Sequence, residues 1–545
     1  MKTKLVSHFQ KYGIFYTTGI LSALLFTLVY GSYVLNPFYT DWLLCGGDLS
    51  QHYLGFALYK NAPWQFQIGM MNTAAYPFSE SIIFTDSIPL AAILGKIAAA
   101  FISGEFQYFG LWGILCFALQ GIFSCLLLLK YTKQKSILLP ASLLFVLSPI
   151  LIRRMFWHTS LASHFLILAA LLLLLYREKI SKKPWRAWIL WGILGMLCAC
   201  IHIYFLAMCG ILLLCFLCMD ICYSKKSGVF PALAPLFSYA AAALFCTWLL
   251  GGFSSGMDDG APGLGFYSFN LNGFFNPQDW SSIFPNAAAY ADGQYEGFAY
   301  LGLGGIAVLA AAVLLILISG CRLFFKAHQQ LIFYGITFLL ILFAAASHEV
   351  SFGSKLLFTL PLPEKLLSLW GTFRASGRLI WPAVYMLLLF GVVVCIKKLP
   401  NRTAAVFLFI CLLLQLFDLK DMLLEKHQEF AAVKTYETKL PADFWNDITE
   451  ECDIKHIVFY DKENLTQEQL YSFAEYAARN ELTINDFYFA RALTVPVVDI
   501  AKDFFAHPDD HTLYIMTYDS YEAHRQYPLN YYTFDGLIIG LKTAR

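Results

Sequence analysis

Charge is what this sequence has least of. Only 14% of its 545 residues are Asp, Glu, Lys or Arg, against about 25% in soluble domains. With 58% hydrophobic residues and a mean hydropathy of +0.59, that excludes an ordinary soluble protein and indicates an integral membrane protein with many spans. The net charge is +1, so nothing marks nucleic acid as a partner. A cysteine framework is missing too. There are 14 Cys, mostly inside apolar runs, among them Cys198, Cys200, Cys209, Cys215, Cys218 and Cys222; these read as small buried hydrophobes. Only Cys45 and Cys452 fall clearly outside such runs. A bridge between them stays open, because sequence carries no bonding geometry. No repeat and no low-complexity tract stands out. A cleavable leader is not indicated either: Lys2, Lys4 and Lys11 precede an apolar run, Ile14 to Leu35, that is too long and is followed by no small-residue cleavage site. It reads as a retained first span.

What the chain does have is apolar stretches. Eleven are long enough to read as spans: 13–36, 108–130, 136–152, 159–176, 187–203, 205–222, 230–251, 299–320, 329–347, 379–396 and 403–419. Basic clusters test the path, since cytoplasmic loops carry excess Lys and Arg. Lys2/Lys4/Lys11, Lys130/Lys133/Lys135, Arg177 to Arg186, Lys225/Lys226, Arg322/Lys326 and Lys397/Lys398/Arg402 all fall on one side. The N-terminus is then cytoplasmic and the C-terminal tail extracytoplasmic. Ile88 to Ser103 is also apolar, but counting it as a span would invert every later loop. It is expected to be an interfacial or re-entrant helix whose Lys96 snorkels to water.

The expected fold is an all-α polytopic domain of about 11 transmembrane helices over residues 1–419, with long outer loops at 37–107, 252–298 and 348–378, and a small extracytoplasmic α/β domain over 420–545. In the tail, His456 to Tyr460, Thr512 to Thr517 and Gly536 to Leu541 read as strands. Thr466-Gln467-Glu468-Gln469 opens a helix to Arg479 with a capping-box pattern. His507 to His511 reads as a loop turn.

Chemistry gathers at the outer face. Asp41, Asp48, Glu80 and Asp86 are the acids of the first outer loop. Asp48 follows Gly46-Gly47 and precedes Gln51, His52 and Tyr53. A carboxylate at the water–lipid boundary can serve as a general base; it can equally cap a helix beginning at Leu49. Asp86 is placed to cap the interfacial helix. Basic residues are few on this side, so each is informative. Arg153 and Arg154 end one span, and Arg374 and Arg378 stand four apart before another, on one face if helical. Guanidinium groups bind phosphate bidentately, which points to an anionic substrate; anchoring to lipid headgroups is the plainer alternative. Glu296 stands among aromatics and glycines in Gln294-Tyr295-Glu296-Gly297-Phe298, a pattern suited to a sugar ring and also to an ordinary aromatic belt. Gln51, His52 and His158 join these as substrate-binding candidates. His158, His164, His202 and His348 lie near outer span ends, and no pair has metal-ligand spacing on one helix. No cofactor is marked, and a divalent cation shared between Asp48 and one histidine stays open.

The combination resembles the GT-C superfamily of membrane glycosyltransferases, which use polyprenyl-phosphate-linked sugars. A first outer loop carries an acid soon after the first span, matched by Asp48; interfacial helices follow, matched by about 88–103; spans number roughly a dozen; and a soluble domain sits on the outer face. The strings GGDLSQHYLGF, GQYEGFAYLGLG and FRASGRLIWP look more closely like those of a bacterial family of polytopic membrane proteins. The resemblance implies transfer of a sugar from a polyprenyl phosphate to a cell-envelope glycan or lipid acceptor, with Asp48 as base. The superfamily's acidic pair has no obvious match, Asp41 being the nearest partner. The alternative is a polytopic transporter or lipid-linked saccharide flippase. That class calls for charges or helix breakers in mid-span and matching halves, and neither is evident.

Overall fold

A computed structural model describes residues 2–223, 229–253, 263–321, 324, 328–491, 493 and 495–543. Lys225, Lys226, Arg322, Lys326 and residues 254–260 of the glycine-rich stretch after Gly251 lie outside the described residues.

Among the described residues, nine helices are long and apolar enough to cross a membrane: Gly13–Tyr30, Phe109–Leu128, Lys135–Arg154, Pro184–Ile201, Tyr204–Tyr223, Ala232–Leu249, Gly302–Ser319, Ser376–Lys398 and Asn401–Asp418. The other two expected spans are shorter. Stretch 159–176 opens with a 3-10 turn, Thr159–Ala162, and leaves a helix of only 11 residues, Phe165–Leu175. Leu331–Ala346 has 16 residues, about 24 Å of helix against a hydrocarbon core of about 30 Å. The third long segment bends at Ser148–Pro149, where the Lys135–Val146 helix ends and Pro149–Arg154 begins. Proline holds its predecessor extended, and the bend carries Arg153 and Arg154 into buried positions. The first span packs along Phe109–Leu128, Pro184–Ile201 along the Val229–Leu249 helix, and Gly302–Ser319 against Trp381–Lys398 and Asn401–Asp418.

The segment expected at the interface is a helix, Pro89–Ala98, of 10 residues, too short to span. Its Lys96 does not reach water as expected. It is 5% exposed, with Nζ 4.2 Å from the Tyr59 ring centre and 4.6 Å from that of Trp64. Two aromatic faces take the place of solvent for the ammonium.

The C-terminal domain contains the expected strands His456–Phe459, Thr512–Met516 and Leu537–Leu541, and two unforeseen ones, Thr483–Ile484 and Asn530–Phe534. From one edge the order is Thr483–Ile484, His456–Phe459, Thr512–Met516, Leu537–Leu541, Asn530–Phe534. The first three are parallel and the last two antiparallel. The Thr466/Gln469 capping box is present on the Gln467–Arg479 helix. The His511 amide donates to Asp509 Oδ1 at 2.8 Å, as a turn requires. Cys45 and Cys452 are free thiols, so the bridge left open is not made.

This domain is tied to the segment 37–107. Tyr76 N donates to Ile484 O, and Ile484 N to Thr73 O, both at 2.9 Å, so the loop continues the sheet beyond its edge strand. The Ala490 amide donates to Phe84 O at 2.7 Å. Asp41 takes no part beside Asp48; its Oδ2 accepts from the Tyr436 amide at 3.2 Å and holds the chain entering the domain.

Candidate active site

Asp48 reaches its place through backbone that only glycine adopts easily. Gly46 and Gly47 have φ of +101° and +68°, a region in which a Cβ is strained. They turn the chain into the Gly47–Asn61 helix, with Asp48 in its first turn. The helix therefore starts two residues before Leu49, and Asp48 lies inside it, where its charge suits the N-terminal dipole. Asp48 Oδ2 lies 3.2 Å from His158 Nδ1, and the Trp157 indole also hydrogen-bonds the carboxylate. Burial, then the nearby charge of Asp86, raises the Asp48 carboxyl above its ordinary range. Burial pushes His158 well below the ordinary imidazole value, and Arg378 adds to this.

Asp86 is the residue the sequence reading misplaced. It does not cap the Pro89–Ala98 helix: the N-cap position is Ile88, and no side chain caps it. Asp86 takes a left-handed conformation, φ +54°, and its Oδ1 lies 3.3 Å from His202 Nε2. Burial would raise its carboxyl, but His202 holds it well below the usual range. His52 lies alongside. It is fully buried, its ring centre is 5.8 Å from that of His158, and neither ring nitrogen has a hydrogen-bond partner. Burial pushes its imidazole down to about 4, so it is neutral at pH 7. Gln51 is also buried, with its amide nitrogen unpartnered.

Beside this group stands a cluster of opposite charge. Glu296 accepts from Arg378 twice, Nε to Oε2 and Nη2 to Oε1, each at 2.8 Å. It accepts from Arg154 Nη2 at 2.6 Å. Burial alone would raise its carboxyl; Arg154 and Arg378 hold it well below the usual range. Two glycines make the approach feasible: a Cβ on Gly377 would stand 2.6 Å from Gly297 Cα. Gln294 braces the same turn through Ser351 Oγ at 2.7 Å and Asn270 Nδ2 at 2.8 Å. Arg153 is buried between the rings of Phe298, at 4.4 Å, and Trp157, at 5.2 Å. It donates to Gln278 Oε1 at 3.0 Å, forms no ion pair among the described residues, and has an unpartnered Nε. Arg154 Nη1 is unpartnered as well. Two guanidinium groups thus share one carboxylate, and a third, that of Arg153, is buried nearby in no ion pair among the described residues.

Arg374 is not part of this cluster. Residues 372–375 are not helical and Ser376–Ile380 is a 3-10 turn, so the expected shared face with Arg378 is not formed. Arg374 is exposed, 5.7 Å from the Tyr267 ring centre. His164 is held by Tyr385 at 2.8 Å inside the helical core, and His348 lies by Glu349 at 4.0 Å.

Above the charges, Trp157 and Tyr295 are 37% and 38% exposed. Their rings stack at 5.8 Å and 15°. A cleft of about 310 Å³ opens on Asp48, lined by Gly46, Gly47, Trp157, Lys426 and Lys434. The Gln467–Arg479 helix of the C-terminal domain packs on the helix that carries Asp48. As to the divalent cation left open above, no three His, Cys, Asp or Glu among the described residues converge as a metal site. Asp48 and Asp86 each face a histidine, and Glu296 is taken by two arginines.

Fold and site together define a multi-pass membrane protein with a charged, partly aromatic site between its helices and an α/β domain. The chain belongs to the family described as Domain of unknown function (DUF6311), whose model matches residues 19–420, and the DUF6311 C-terminal domain matches residues 444–542. No curated protein matches it. The chain is similar to the oligosaccharyltransferase of Archaeoglobus fulgidus tethered to an acceptor peptide, at 14% identity over 99% of this chain and 75% of that one, TM-score 0.46. It is also similar to ArnT from Cupriavidus metallidurans bound to undecaprenyl phosphate, at 10% identity over 98% of each chain, TM-score 0.44.

Proposed function

We propose that this protein is a GT-C-type glycosyltransferase that moves a sugar from a polyprenyl-phosphate donor to a cell-envelope acceptor on the extracytoplasmic side. One observation carries the reading: beside the Asp48–His158 pair, two buried guanidinium groups hold a single carboxylate at 2.6–2.8 Å, and a third, that of Arg153, is buried with no ion pair among the described residues. A buried cation without a counter-ion is costly. A donor phosphate seated by Arg153 Nε and Arg154 Nη1 supplies the missing charge, and those N–H groups stabilise it further as the phosphate leaves. Arg378, bound to Glu296 through two of its nitrogens, braces the cluster. Trp157 and Tyr295 offer ring faces to a pyranose, and Asp86, His52 and Gln51 offer polar atoms to its hydroxyls. Asp48 and His158 form the proton-accepting end, where the acceptor hydroxyl loses its proton as it attacks the anomeric carbon. The C-terminal domain, packed on the Asp48 helix, forms the acceptor side.

The test is transfer of label from radiolabelled polyprenyl-phosphate hexoses to an envelope extract, with purified protein in lipid. Label in a saccharide product is the expected outcome. No transfer from any donor, together with movement of a labelled lipid between leaflets of a vesicle, would favour the flippase.

A further inference from the structure

We propose that His158, through Nε2, is the group that takes the acceptor proton, and that Asp48 is its positioning residue. This rests on the glycosyl-transfer reading above and deepens it. The geometry at Nδ1 decides the tautomer. Nδ1 lies 2.9 Å from Trp157 O and 3.2 Å from Asp48 Oδ2. Trp157 O is a carbonyl that can only accept, so a neutral imidazole carries its hydrogen on Nδ1 and donates it there, with the Asp48 carboxylate alongside. Nε2 is left with a bare lone pair and makes no hydrogen bond to any described residue. The ring is partly open, its side chain 14% exposed, so that lone pair can meet a substrate.

Asp48 is poorly placed to act alone. It already accepts from the Trp157 indole and lies 3.2 Å from His158 Nδ1, and it sits in the first turn of a 15-residue helix, whose dipole favours the ionised form. The same features suit a carboxylate that orients an imidazole and stabilises the imidazolium, the division of labour in Ser-His-Asp hydrolases. In the step, the acceptor O–H proton passes to Nε2 and its oxygen forms the new bond to the anomeric carbon. The bond from that carbon to the phosphate oxygen breaks, and the electron pair leaves with the lipid phosphate. His158 ends as imidazolium against Asp48.

The groups facing His158 set when it becomes basic. Asp48 and His52 face it from the Gly47–Asn61 helix, Asp86 from the first loop, and Arg154, Arg378 and Glu296 from the other side. In the resting protein burial and the Arg378 charge keep it neutral. An anionic phosphate at the guanidinium cluster offsets that charge, so the imidazole gains basicity once donor is bound.

Two readouts test this. Histidine labelled with 15N in the full-length protein in lipid reports the tautomer directly, with the His158 signal assigned by its loss in His158→Gln or its shift in Asp48→Asn. A protonated Nδ1 and bare Nε2 are expected; a protonated Nε2 overturns the proposal whether or not any transfer is seen. In the transfer assay, His158→Gln should lower kcat by about 10²–10⁴-fold with little change in KM. Asp48→Asn should keep a pH-dependent limb but shift it to lower pH, because the imidazolium has lost its carboxylate. His158→Gln within threefold of wild type, with Asp48→Asn removing the limb entirely, would return the base to Asp48. Wild type that transfers no label from any donor contradicts glycosyl transfer itself, and is told apart because the tautomer is read without it.

Discussion

The two halves of the site are built to opposite standards. Around Glu296, hydrogen bonds are short, 2.6–2.8 Å, the side chain is 7% exposed, and both carboxylate oxygens are taken by guanidinium groups. Around Asp48 the contacts lengthen to 3.2 and 3.3 Å, the side chains of Asp48 and Asp86 are 31% and 23% exposed, and His52 keeps two unpartnered nitrogens. Close-packed, satisfied charge fixes a structure. Loose, partly wet charge leaves room for a ligand to complete it. On the proposed function, the Glu296 half holds the helices in place and the Asp48 half carries the chemistry. Arg153 and Arg154 belong to both, being buried on one side and unsatisfied on the other.

The sharpest way to break this contrast is to exchange the outcomes of two isosteric changes. Glu296→Gln leaves two buried guanidiniums uncompensated. It should cost about 3–5 kcal/mol, seen as a large fall in the thermal midpoint of the protein in lipid. Asp48→Asn should lower transfer by about 10²–10⁴-fold while costing under about 1 kcal/mol of stability, as a partly exposed pair does. If Asp48→Asn unfolds the protein and Glu296→Gln does not, the halves have been assigned the wrong way round.

Arg153 sharpens the boundary between them. Wild type should gain about 2.7 kcal/mol from polyprenyl phosphate at a hundred times its Kd. Arg153→Met should lose most of that gain without losing stability in the absence of lipid, since an unpaired buried cation is replaced by an apolar chain of similar length.

Lys96 is a buried cation outside the site, and it supplies a pH control. Burial pushes its ammonium down to about 8 from an ordinary 10.5. Between those values the unfolded chain binds more protons than the folded one, so stability rises with pH there and is flat below pH 8. Lys96→Met should abolish this contribution, visible as a wild-type-minus-variant difference in unfolding free energy that changes only across that window. Arg374 should give the smallest effect. It is exposed and in no ion pair among the described residues, so Arg374→Ala should change stability by less than about 0.5 kcal/mol and transfer by less than threefold.

How far the sequence could reach follows the range of each interaction. Apolar run length and the Lys/Arg alternation marked the spans, because both are local signals; at Thr159–Leu175 and Leu331–Ala346 the helices are shorter than the apolar runs. The Thr466 capping box and three of the five C-terminal strands were legible for the same reason. Asp48 after Gly46-Gly47 was legible as a turn into a helix. The Glu296 cluster was not, since its partners lie 82 and 142 residues away and meet through two facing glycines. Asp86 was misread because a helix-cap position and a left-handed turn look alike in sequence before a proline. Arg374 and Arg378 do not share the expected face because four-residue spacing gives one only on an α-helix, and here irregular chain at 372–375 leads into the 3-10 turn Ser376–Ile380.

The most direct measurement is single-turnover sugar transfer by Asp48→Asn and wild type, in the same lipid and with matched thermal midpoints. Transfer by wild type, reduced at least a hundredfold in a variant that melts with it, is the expected result. Equal transfer by the two proteins would contradict the claim that the half of the site around Asp48 carries the chemistry.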